Sequence, residues 1–147
     1  MSYLSNSDIE TRVGPAAYVQ LTDDAGTGLA NEAVVDEARA GAEGEVDTYL
    51  ARRYAVPIDL TRHPELTGIL KSIALDLAEH RLRLRRPPVP AEAVARRDAA
   101  IQWLKEVASG DIELPAATQP ADSPLGGFHG RATGTERIMT REDLSDF

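Results

Sequence analysis

The chain contains no cysteine. That absence excludes a disulfide scaffold, a cysteine-ligated zinc site and thiol chemistry together. Aromatic residues are scarce, at 5%, which argues against a β-sandwich core of aromatic and β-branched side chains. A surplus of positive charge is also missing. Acidic residues number 24 against 16 basic ones, a net charge of −8, so the broad basic footprint of a nucleic-acid-binding domain is absent. No apolar run approaches the ~20 residues that a membrane span requires. The opening Met1-Ser2-Tyr3-Leu4-Ser5-Asn6 has neither a basic n-region nor an apolar h-region, so no secretion signal is expected.

What the chain has in quantity is alanine, 22 of 147 residues. Alanine is the best helix former, and 147 residues suffice for one small core. The expected class is all-α: a small bundle of three long helices preceded by short N-terminal helices, with an extended C-terminal arm. Charge is laid out in blocks. Residues 1–51 carry net −8, residues 52–97 net +5, and residues 98–147 net −5. Opposite blocks suit either an acidic helix packed beside a basic one within the chain, or head-to-tail contacts between identical subunits.

Local signals place the helices. Ser7-Asp8-Ile9-Glu10 reads as a capping box, and Gly14-Pro15 closes the first helix and opens a second short one ending near Leu21. Asn31 is positioned to cap a helix running to about Tyr54, with Val35, Ala38, Ala42, Val46, Tyr49, Leu50 and Tyr54 on one face. Gly41 and Gly44 inside it would permit close helix–helix approach. The most apolar helix spans roughly Pro64 to Arg86 and is the expected centre of the core, with Leu66, Ile69, Leu70, Ile73, Leu77, His80 or Arg81, and Leu84 on its face. Pro87-Pro88 stops it. A last long helix starts near Pro90 and ends at Ser109 before Gly110, with Val94, Ile101, Leu104, Val107 and Ala108 inward and Trp103 beside them. The body is therefore expected over residues 1–110. Residues 111–147 are rich in proline and glycine and lack an amphipathic period, so they are expected to gain order only on a partner chain. Leu125, Phe128, Ile138, Met139, Leu144 and Phe147 are the apolar anchors of that arm.

Signals for chemistry are weak. Asp23-Asp24-Ala25-Gly26-Thr27-Gly28 has the glycine spacing of a calcium loop, but Ala25, Thr27 and Val34 stand where hard oxygen ligands belong. A capped turn leading into the Asn31 helix is the reading kept. His63, His80 and His129 are dispersed and form no metal-binding pair; His80 is expected to end the core face of its helix. No nucleophile elbow or phosphate loop occurs. No enzyme activity, metal or cofactor is expected. Arg81, Arg83, Arg85 and Arg86 cluster at a helix end, where cations complement the dipole; they are candidates for subunit or phosphate contacts.

Four segments in order carry a family resemblance: Gln20-Leu21-Thr22-Asp23-Asp24, Val46 to Pro57 (VDTYLARRYAVP), Leu70 to Ala78 (LKSIALDLA), and Ala100 to Gly110 (AIQWLKEVASG). Together they resemble the small neck proteins of Mu-like phages and prophages, a family similar in plan to the head–tail connector (adaptor) proteins of long-tailed phages. The resemblance covers about residues 3–114. It implies a homo-oligomeric ring, usually twelve-fold, seated on the portal protein, with a stopper or tail-completion protein on its other face. DNA would pass through the channel without sequence-specific binding, and no membrane is involved. The implied location is the virion neck, and the host cytoplasm during assembly. Two other readings are kept: a non-structural helical interaction or regulatory module, and a helical DNA-binding protein using Arg81 to Arg86.

Overall fold

The computed structural model describes residues 2–116. Their regular structure is helical: α1 (Asn6–Val13), α2 (Pro15–Thr22), α3 (Glu32–Leu50), a 3₁₀ turn at Pro64–Leu66, α4 (Thr67–Leu84) and α5 (Ala91–Ser109). The three long helices pack on one another, and α1 and α2 lie across α3 and α4. Helix α4 touches every other element and is the central strut, as its apolar content led us to expect. The core is aliphatic. Leu50, Leu70, Leu82 and Leu104 are wholly buried, with Val35, Val46 and Val107 between them. No described helix is long and apolar enough to cross a membrane.

The caps explain the helix boundaries, and the first differs from the sequence expectation. The capping box of α1 is Ser5 with Asp8, not Ser7 with Glu10. Asp8 Oδ2 accepts the Ser5 N–H at 2.9 Å, and the helix already begins at Asn6, so Ser7 lies inside its first turn. Aspartate thus serves at a position where glutamate is the commoner partner. Asn31 does cap α3, accepting from the Ala33 N–H at 3.1 Å. Helix α3 stops at Leu50 rather than Tyr54, where the last turn tightens to i→i−3 hydrogen bonds: Arg52 N–H donates to the Tyr49 carbonyl at 3.4 Å and Arg53 N–H to the Leu50 carbonyl at 3.0 Å. Helix α4 begins at Thr67, after the 3₁₀ turn takes up Pro64.

The buried faces of α4 and α5 also depart from expectation. Along α4 the core face runs Leu70, Ala74, Ala78, Leu82. Leu66, Ile73 and Leu77 of the expected face are buried as well, whereas His80, Arg81 and Leu84 fall in the last turns of α4, where that part of the face is not fully covered. His80 is half-buried, and Leu84 is left 54% exposed. Along α5 the small residues Ala93 and Ala100 sit inward with Ile101, Leu104 and Val107, while Val94 is largely outside and Ala108 is half-buried. Alanine at the contact lets the helix axes approach. The same logic operates at Gly41, across which the Arg81 guanidinium lies; a Cβ there would stand 3.0 Å from Nη1.

The chain does not leave the body at Gly110. Gly110 closes α5 in the left-handed region, φ +97. Ile112 N–H then returns to the Glu106 carbonyl at 3.2 Å. Ile112, Leu114 and Ala116 pack against the core, and Leu114 N–H donates to the Tyr54 hydroxyl at 2.8 Å. Gly110 therefore sets the direction of this return. Gly110→Val is expected to lower stability by about 2 kcal/mol through left-handed strain on a β-branched residue. Gly110→Asn is expected to cost clearly less, because asparagine tolerates that region. The Arg53 side chain beside Gly110 is flexible enough to swing away in both variants. Urea denaturation of the two variants checks the ordering.

Candidate interaction surface

The arginines at the end of α4 are held within the chain. Arg81 Nη2 meets Glu45 Oε2 on α3 at 2.9 Å, and Arg83 Nε meets Glu79 Oε1 one turn back at 2.8 Å. Arg85 donates to the Leu21 carbonyl at 3.0 Å and pairs with Asp24. Arg86 donates to the Gln20 carbonyl at 3.1 Å and pairs with Asp24 at 3.2 Å. Gln20 and Leu21 carry two of the last carbonyls of α2, groups a helix cannot satisfy internally. Two guanidiniums thus close the C-terminal end of α2 and oppose its dipole. The acidic and basic sequence blocks meet here inside one subunit.

A second ionic cluster lies deeper. Glu79 is 2% exposed. Its carboxylate is shared by Arg83 and by Arg96 of α5, the latter at 2.9 Å. One turn earlier Asp76 accepts from Arg12 of α1 at 2.9 Å, with Arg96 Nε 3.8 Å away. This cluster joins α1, α4 and α5. Sequence reasoning missed it, because Glu79 sits among charges and looks like part of a solvated face; its only signal was its placement beside Ala78 and Leu82 on the inward arc.

The segment before α1 is strapped to α3 by two carboxylates. Glu43 Oε1 accepts from the Ser2 hydroxyl at 2.6 Å and from the Tyr3 N–H at 2.7 Å. The Tyr3 hydroxyl donates to Asp47 and accepts from the Ile58 N–H at 3.0 Å. Burial raises the Asp47 carboxyl above the ordinary carboxylate range and the nearby Glu43 charge adds to this, while the Tyr3 hydrogen bond opposes it. A carboxyl whose folded-state pKa is raised binds its proton more tightly folded than unfolded. Its ionised form therefore costs stability at neutral pH, and the cost is relieved as pH falls through the raised value. Asp47→Asn keeps an acceptor for Tyr3 and removes the charge. The variant is expected to be more stable than the parent at pH 7, with the gap shrinking toward pH 4, as urea titrations at several pH values will check.

The turn at residues 23–28 is closed by its own backbone. Asp23 accepts from the Thr27 N–H at 3.0 Å and from the Gly28 N–H at 2.6 Å. These backbone hydrogen bonds hold its carboxyl below the ordinary range. Among the described residues no three His, Cys, Asp or Glu side chains gather as a metal ion would need.

Among the described residues Leu29, Ile69, Leu84 and Val94 are the large apolar side chains left exposed, and Leu84 stands between two grooves. On one side of it a groove of about 290 Å³ runs between α3 and α4, lined by Val34, Glu37, Ala38, Arg81 and Arg85. On the other side a groove of about 260 Å³ reaches toward Arg97 of α5, with His80 and Glu45 in its wall. Leu84 and Arg81 border both. The arm anchors Leu125, Phe128, Ile138, Met139, Leu144 and Phe147 lie outside the described residues.

The family model described as Bacteriophage Mu, Gp36 matches residues 3–129. The chain belongs to the Bacteriophage Mu, Gp36 family. The Gp36 match takes in the whole helical body and continues 13 residues past Ala116, so it includes Leu125 and Phe128 but not Ile138, Met139, Leu144 or Phe147. As a member of the Gp36 family this is a phage protein, whose place is the virion or the phage-infected cell. No curated protein matches the chain.

Proposed function

We propose that the chain is a structural head–tail connector that assembles as a ring between the portal and the stopper or tail-completion protein of a tailed phage. Membership of the Bacteriophage Mu, Gp36 family is the observation that carries this reading. The physical features agree with it. The helical body is small, and the arm beyond Ala116 has the proline- and glycine-rich composition that orders on a partner. Ring subunits need a lateral face of their own, and Leu84 with its two grooves is suited to that use. On the family resemblance the ring is twelve-fold, with no cofactor and no catalytic residue. An acidic channel wall would repel DNA phosphates and keep the genome moving; a basic lumen would contradict that part of the proposal.

The net charge of −8 favours the connector over a duplex-binding protein, and Arg83 and Arg86 of the cluster are committed to Glu79, Asp24 and the end of α2. The competing reading of a non-structural interaction module is separated by mass spectrometry of purified particles. A connector is retained in mature virions at a fixed copy number per portal. A chain abundant in infected cells but absent from purified virions would refute the proposal.

A further inference from the structure

We propose that the α3–α4 groove beside Leu84 is the docking site for the chain's own C-terminal segment Glu142-Asp143-Leu144-Ser145-Asp146-Phe147. The groove combines an apolar floor, Val34, Ala38 and Leu84, with the guanidiniums of Arg81 and Arg85 against the single carboxylate of Glu37. Among the described residues Arg81 spends one N–H on Glu45, and Arg85 uses two on Leu21 and Asp24. A guanidinium carries five donors, so both retain capacity for a carboxylate.

The occupant is selected by charge. Residues 117–141 contain two acids and three bases, whereas Glu142 to Phe147 contain three acids and no base. The acidity of the arm is therefore concentrated in its last six residues. The same six hold Leu144 and Phe147, spaced to present two apolar groups together on one helical turn. Neither the Leu125–Phe128 stretch nor Ile138-Met139 joins apolar anchors to several carboxylates in this way.

Tether length fits as well. Leu114 meets Tyr54 just past the C-terminal end of α3, and the groove begins at Ala38, 12 residues up that helix. At 1.5 Å per residue the span is about 20 Å. The 25 residues between Ala116 and Glu142, treated as a flexible chain, have a root-mean-square length of about 27 Å. A tether whose mean length is close to the span gives a near-maximal effective concentration, in the millimolar range. A weak apolar–ionic contact is then enough to cover Leu84 in the free protein. On the connector reading, capture of the arm by a portal would bare Leu84 for the next subunit.

The absence of native cysteine makes the test direct. In the full chain, E37C with S145C places one thiol in the groove wall and one in the segment without removing either apolar anchor. E65C with S145C is the control: Glu65 is also exposed, but it lies at the far end of α4, on the side where Leu114 meets Tyr54. Oxidation at micromolar concentration is expected to give an intrachain disulfide in the first pair at least five times more often than in the control. Adding L144S and F147S should reduce the first pair to the control level. Equal yields in both pairs, no cross-link at Glu37, or cross-links only between chains would each overturn the assignment, the last in favour of a second copy. The measurement involves no portal, so its failure leaves the connector reading standing.

Discussion

Replacing both Arg83 and Arg96 by methionine is expected to destabilise the fold by about 3–5 kcal/mol. The reason is Glu79. Its carboxylate is buried against the α4–α5 contact, and these two guanidiniums are its partners. Removing them leaves an ionised group with neither water nor a cation, and that desolvation is the dominant cost. Each arginine reaches solvent along part of its length, so the converse change is much milder. Glu79→Gln alone leaves two cations that can turn outward. The triple variant R83M/E79Q/R96M should therefore recover most of the loss of the double variant. Urea midpoints for the three proteins decide it. If the double variant is no less stable than E79Q alone, Glu79 is not the group being compensated.

Ending the chain after Ala116 is expected to leave the body folded while weakening docking to the portal by about 100-fold or more, equivalent to about 2.7 kcal/mol. The cut position matters. Ending at Gly110 would also remove Ile112, Leu114 and Ala116 from the core and leave the Tyr54 hydroxyl without the Leu114 N–H. That shorter chain should lose about 2 kcal/mol of stability from the apolar area uncovered. Comparing the two truncations separates loss of docking from loss of folding. Calorimetry supplies the stability and co-sedimentation with portal supplies the docking. Undiminished docking of the chain ending at Ala116 would remove the arm from the account.

Local chemistry made the architecture readable. Asn31 through its side-chain cap, and Gly14-Pro15, Gly110 and Pro87-Pro88 through backbone geometry, act within one or two turns, and each lies at or near an observed helix boundary. Registers were harder. At the end of α4 Leu82 is buried and Leu84 exposed; which leucine is covered depends on where the packing elements end, and apolar spacing alone does not say. Alanine added to the difficulty on α5, because Ala93 and Ala100 carry little hydropathic signal yet decide which face approaches α4. The candidate surface was legible only as composition. Arg81 to Arg86 stood out as a cluster, but their partners, Glu45 on α3 and Asp24 after α2, are distant in sequence. Glu79 was invisible for the opposite reason, a charge placed where the pattern expects none.

The central claim is that copies of this chain form a ring on a portal. A cryo-EM reconstruction of portal protein incubated with the full-length chain tests it most directly. The expected result is a ring of helical bodies coaxial with the portal, subunits touching near Leu84 and the C-terminal segments running along the portal surface. A portal with no added density, while the chain remains monomeric in the same sample, would contradict it.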